Sequence, residues 1–142
     1  MTSRATKQKG GAVRPAMISG LDHINVETTD LEASIAFYVQ VLNLEVGPRP
    51  PFDVDGAWLY VDDQPIIHLV VRDAVETRST GAIHHVAIKA AGFEQVRQQF
   101  EELGLDFDVT VVPDLNVTQV FVDDPNGVKL ELNFYEDSVQ KP

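Results

Sequence analysis

The order of segments in this chain is written twice, and that repetition limits the fold more than any other feature. His23 matches His85, and Asn43-Leu44 matches Gly104-Leu105. Tyr60-Val61-Asp62-Asp63 matches Phe121-Val122-Asp123-Asp124, and Ile67-His68-Leu69 matches Leu130-Glu131-Leu132. The period is about 60 residues with two copies, too few for a solenoid, so two similar units must share one domain.

Periodicity identifies the unit. In the first copy, residues 21–27 alternate and read as a strand. Thr29-Asp30-Leu31-Glu32 has capping-box spacing and opens a helix whose apolar stripe is Leu31, Ile35, Tyr38 and Leu42, stopped at Asn43. A short strand over 44–47, a stiff Pro48-Arg49-Pro50-Pro51 loop, and strands over 57–61 and 65–71 complete it. The second copy repeats the order. A strand over 83–89 precedes a helix over 93–103 with Phe93, Val96, Phe100 and Leu103 on one stripe and Gly104 as its stop. Strands over 106–111, 118–122 and 128–134 follow, the last two joined by the Asp-Pro-Asn-Gly turn at Asp124 to Gly127. Both copies read β-α-β-β-β. The expected boundaries are a basic tail over 1–20, a first module over 21–72, a linker over 73–81, a second module over 82–135 and a polar tail over 136–142.

Charge and composition narrow the partners. The net charge is −11, and residues 1–20 hold Arg4, Lys7, Lys9 and Arg14 with no acid, so the body is more acidic still. An acidic body argues against nucleic acid as the partner. No apolar run is long enough for a membrane span, and no signal-peptide pattern opens the sequence. With no cysteine there are no disulfides and no thiolate ligands, which fits a cytoplasmic protein.

Strand parity assigns faces. Ile24, Val26, Leu59, Val61, Ile67 and Leu69 belong under the first helix, and Val86, Ile88, Val120, Val122, Leu130 and Leu132 under the second. The opposite face carries His23, Asn25, Trp58, Tyr60 and His68, then His85, Gln119, Phe121 and Glu131. It is too polar for a core and too aromatic for an ordinary solvent face, so it reads as a ligand-holding cup. A lone carboxylate in mid-strand is usually a solvated residue. Here Glu131 stands at the repeat position of His68, and His23 at that of His85. If the first and last strands of each half sit centrally, three imidazoles and one carboxylate converge, which is a ligand set for Zn, Fe, Mn, Ni or Co. His23, His85 and Glu131 would already suffice. His84 points the other way by parity. Tyr60 is a candidate proton donor and Gln119 a candidate for orienting substrate or a bound water. Trp58, Tyr60 and Phe121 are candidate walls of the cup, and Arg49 a candidate contact for an anionic substrate group.

The stretches LDHINVETTDLEASIAFYVQVLNLEVG, IHHVAIKA and FVDDPNGVKLELNF cover most of residues 21–135. Together they resemble the glyoxalase, bleomycin-resistance and extradiol-dioxygenase superfamily, also called the vicinal oxygen chelate superfamily. The resemblance implies an α+β fold, two βαβββ modules forming an incomplete mixed β-barrel with the helices outside, around a divalent metal. It implies ligands at His23, His68, His85 and Glu131, a small-molecule substrate held through vicinal oxygens, and commonly a homodimer, sometimes with the site built across chains. In glyoxalase-like members the position of His68 is usually Glu or Gln, so this chain departs from that pattern. The expected function is metal-dependent isomerase or lyase chemistry, favoured over extradiol ring cleavage. The alternative is a bleomycin-resistance-type protein that sequesters a small aromatic ligand without metal.

Overall fold

The computed structural model describes residues 17–135. Most of the expected N-terminal tail and all of the expected C-terminal tail therefore lie outside the described residues. The first copy of the repeat forms β1 (Ile24–Thr28), α1 (Leu31–Leu42), β2 (Glu45–Gly47), β3 (Gly56–Val61) and β4 (Gln64–Val71). The second forms β5 (Val86–Ala90), α2 (Phe93–Glu102), β6 (Asp108–Val112), β7 (Val117–Asp123) and β8 (Lys129–Tyr135), with a 3-10 turn at Pro113–Leu115. Each copy makes one four-stranded mixed sheet, ordered β1-β4-β3-β2 and β5-β8-β7-β6. The first strand pairs parallel with the last, and the other pairs are antiparallel. The two sheets do not close into one barrel. This is the expected α+β fold of two βαβββ modules.

Helix ends follow local chemistry. Asp30, not Thr29, is the N-cap of α1: its carboxylate accepts from the Ala33 amide at 3.0 Å. The Thr28 hydroxyl instead accepts from the Asp30 amide, because β1 runs on to Thr28. Asn43 ends α1 in the left-handed region at φ 56°, which its short polar side chain tolerates.

One apolar core joins the halves. Val26, Tyr38, Leu59, Ile67 and Leu69 from the first pack in the same cluster as Phe100, Val120, Leu130, Leu132 and Phe134 from the second. Strand parity and helical spacing therefore place the core residues correctly, with two exceptions. Val61 is exposed, because β3 and β4 change register between Leu59 and Tyr60 and the end of the hairpin turns out of the core. Leu103 is exposed because it caps α2 rather than lying within it.

A buried polar strap crosses from one half to the other. Asp124, just before the second module's turn, accepts from the Tyr38 hydroxyl of α1 at 2.8 Å and from the amides of Asn126 and Val128, each at 2.8 Å. Asn126 donates its side-chain amide to Ser34 at 2.9 Å, and the Ser34 hydroxyl meets that of Thr28 at 2.9 Å. All five side chains are buried. Burial first, then the neighbouring Asp124 carboxylate, push the Tyr38 phenol far above its ordinary value, so it remains a donor at any working pH. Gly127 closes the turn at φ +85°, and a Cβ there would overlap the Thr77 carbonyl, so the position admits only glycine.

The strap makes a graded stability prediction. Tyr38→Phe removes one donor and leaves Asp124 its two amides, for a loss of about 1–2 kcal/mol. Asp124→Ala strands the phenol and both amides in a dry site and costs about 3 kcal/mol or more. Urea unfolding with an unchanged m-value measures both. Equal losses would mean that the carboxylate is not the hub.

Candidate metal centre

The register of each sheet places the histidines. His23 immediately precedes β1 and His85 immediately precedes β5, so neither lies within its strand as expected. Two residues on, Asn25 pairs with His68 and Ala87 pairs with Glu131. Each entry histidine is thus diagonal to the chemistry-bearing residue of the last strand, on the same face. β1 and β5 are outer strands of their sheets, not central ones.

In the second half, His85 Nε2 stands 3.5 Å from Glu131 Oε1. Glu131 is buried and His85 about one-third exposed. The other carboxylate oxygen, Oε2, accepts from the Asn133 side-chain amide at 2.9 Å, and Asn133 in turn accepts from Gln119 at 3.2 Å. Gln119 → Asn133 → Glu131 is therefore a fixed relay that leaves one carboxylate oxygen free to face His85. His84 Nδ1 and His85 Nδ1 are 2.9 Å apart, so one ring donates to the other. When His85 is the donor, its Nε2 lone pair faces the carboxylate, as a cation between the two requires. Phe121 lies opposite Glu131 across the sheet and presents an edge contact to His85.

The first half is built differently. Trp58, His68 and His23 form a stack: His68 lies 4.0 Å from Trp58 at 14° and 3.7 Å from His23 at 10°. His68 Nε2 is 3.1 Å from the Pro65 carbonyl, which can only accept, so that nitrogen carries the proton. Burial, and then the adjacent His23, lower the His68 pKa below 6.5. His23 Nδ1 is held by the Asp22 carboxylate at 2.6 Å, leaving its Nε2 available.

The donor sets can be tested against a metal. Two ligands each about 2.1 Å from one ion in a tetrahedral shell stand about 3.4 Å apart. The His85–Glu131 pair has that spacing and that chemistry. The His23–His68 pair does not: lone pairs lie in the ring planes, and two nearly parallel stacked rings cannot aim them at one point. Among the described residues no three His, Asp or Glu side chains come together as a metal-sized group. The four expected ligands are brought together two by two, not at one point within a chain.

The other candidates fall as follows. The Tyr60 hydroxyl donates to the Pro48 carbonyl at 2.5 Å, so it anchors the Pro-rich loop instead of standing free as a proton donor. Gln119 serves the relay. Trp58 and Arg49 line a 530 Å³ concavity together with His68. A larger 930 Å³ hollow beside β6 is lined by neither His85 nor Glu131. Asn133 is the residue that sequence reasoning missed. Its signal was available, since it shares the strand face of Glu131.

A protein of paired βαβββ modules, with imidazole at each module's first strand and His or Glu on its last, is what fold and site define. A family profile described as the Glyoxalase/Bleomycin resistance protein/Dioxygenase superfamily matches residues 20–132, and the chain belongs to that superfamily. The chain is 27% identical over 131 residues to Glyoxylase I 4 of Arabidopsis thaliana, covering 87% of this chain and 75% of that one. Its fold matches the glyoxalase family protein of Enterococcus faecalis with a TM-score of 0.66 at 23% identity, over 83% of this chain and 99% of that one. It also matches a mutant FosX fosfomycin resistance protein from Listeria monocytogenes, complexed with Mn(II) and 1S,2S-dihydroxypropylphosphonic acid. There the TM-score is 0.67 at 18% identity, over 83% and 93% of the two chains. No described helix is long and apolar enough to cross a membrane.

The stack predicts a titration. Because desolvation disfavours the charged ring, His68 stays neutral down to a midpoint below 6.5, and protonates only as pH falls further. Proton–carbon NMR of the imidazoles through a pH series measures it. A His68 midpoint at or above 6.5 would contradict the buried, stacked placement.

Proposed function

We propose that this chain is a divalent-metal-dependent enzyme acting on a small oxygen-bearing organic substrate, as a cytoplasmic homodimer. The observation that carries this is the buried Glu131 carboxylate, held by Asn133 at one oxygen and facing His85 with the other at 3.5 Å. A carboxylate without a cation partner is an expensive thing to bury, and an imidazole lone pair beside it makes the pair two-thirds of a metal site. We assign the third ligand to His23 of a second copy of the chain, since His23 keeps a free Nε2 and has no partner for this purpose within its own half. His68 then serves as wall rather than ligand.

A bound Fe, Zn, Ni, Mn or Co ion would supply Lewis-acid polarisation of a substrate oxygen. The chain's own residues do the rest. Asn133 and Gln119 fix the carboxylate, His84 would set the His85 tautomer by accepting from its Nδ1, and Trp58 and Phe121 give flat apolar walls. Isomerase or lyase chemistry is favoured over ring cleavage with dioxygen. The FosX relative, solved with Mn(II) and a vicinal diol, lends support to Lewis-acid chemistry at adjacent substrate oxygens.

One observation favours a second reading. The Trp58–His68–His23 stack is a ready planar surface that needs no metal, as a protein that only sequesters an aromatic ligand would have.

Metal analysis of protein purified without chelator separates the two. The enzyme reading expects stoichiometric metal, lost in His85→Ala and Glu131→Ala. Protein that carries no metal and binds ligand equally well in both variants would be a binding protein. Asn133→Leu, which frees the carboxylate without removing it, is expected to weaken metal binding about 10–100-fold in a chelator competition. Mixing His23→Ala with Glu131→Ala tests the shared site. If it spans two copies, the mixed dimer regains metal at one of its two sites; if each chain builds its own, mixing restores nothing.

A further inference from the structure

The 530 Å³ concavity of the first half contains a cation with an unmet donor. Arg49 leaves the Pro-rich loop and lays its guanidinium 5.0 Å over the Phe52 ring, with Nη2 donating to the Val54 carbonyl at 2.8 Å. Gly56 makes room for it: a Cβ there would come within 2.8 Å of Arg49 Nη2. The Pro48 carbonyl beside it is pinned by Tyr60. Arg49 Nε is buried and has no hydrogen-bond partner. Among the described residues Arg49 also has no carboxylate within salt-bridge distance, whereas Arg72, the other cation of the wall, is paired with Glu27 at 2.7 Å. Arg49 Nε is closed to a ligand as well as to water, but Nη1 is neither sealed off nor bonded to any described acceptor, so it is the donor that an anion in the hollow can reach. The guanidinium fork is the group best shaped to take two carboxylate oxygens side by side.

We infer that Arg49 is the anion anchor of the cup and that the ligand of the first half is an aromatic or similarly planar monocarboxylate, its flat body against Trp58 and Phe52. Charge selects the monoanion. One unpaired cation faces the hollow, Arg72 is already neutralised, and Asp53 in the wall disfavours a dianion such as a phosphate. Asn25 and the neutral His68 are the other polar groups of the wall. Where the metal reading also holds, this names the substrate class of that site; the anchor itself rests on Arg49 and needs no metal.

Trp58 is the chain's single tryptophan and lines the hollow, so intrinsic fluorescence reports it directly. Benzoate and its neutral counterpart benzamide are titrated into full-length protein, both stripped with chelator and loaded with Mn(II). Saturable benzoate binding is expected in both forms, with benzamide about tenfold weaker or worse. Arg49→Gln should lose about tenfold or more, and Arg49→Lys should retain part of it. Circular dichroism and the thermal midpoint confirm that the variants fold. Equal binding of the two probes, no saturable response, or an unaffected folded Arg49→Gln protein would overturn the inference. Benzoate binding that appears only with metal and ignores Arg49 would place the carboxylate on the metal, overturning the anchor while leaving the metal centre standing. Binding that persists in protein unable to hold metal supports the anchor and counts against the metal reading.

Discussion

The carboxylate of Asp124 is the point on which the two halves of this molecule hang. It collects a phenol from α1 and two amides from its own turn, all in the dry core. An isolated carboxylate would not stay buried there; three donors together make it affordable. Because one of those donors comes from the first module, the turn cannot form its full set of bonds unless the modules are docked. The same turn feeds β8, so the position of Glu131 depends on a contact made by Tyr38. Structure and chemistry are joined at that turn.

Each module's architecture could be read from the chain because it depends on local order. Alternation placed the strands, helical spacing placed α1 and α2, and Asn43 and Gly104 marked their ends. Parity put Leu59, Ile67, Val120 and Leu132 in the core, where they lie. The first strands begin later than alternation implies, at Ile24 and Val86. Leu21 and Ile83 therefore remain exposed. What could not be read is how one sheet is set against the other. Parity says which face of its own sheet a residue occupies and nothing about a second sheet. The convergence of four ligands was such a statement; within one chain the four side chains stand as two pairs.

The repeat also hides a division between the halves. His68 and Glu131 hold equivalent places in equivalent sheets, yet their surroundings differ completely. Around His68 the neighbours are rings, and the imidazole becomes one layer of a stack. Around Glu131 an amide relay holds one carboxylate oxygen, and the other faces the His85 ring. Gln119 and Asn133, paired across β7 and β8, make that difference, and the first half puts nothing comparable beside His68. The side chains next to this repeat position thus decide its chemistry as much as the position itself.

The Pro48-Arg49-Pro50-Pro51 loop has a kinetic consequence. Three of its four residues have φ fixed by their rings, and the Tyr60 hydroxyl clamps its first carbonyl. Such a loop has little conformational freedom left to surrender when a guest arrives. For any guest of this cup, the loop itself then adds little ordering cost, and differences between guests fall mainly on how long each one stays.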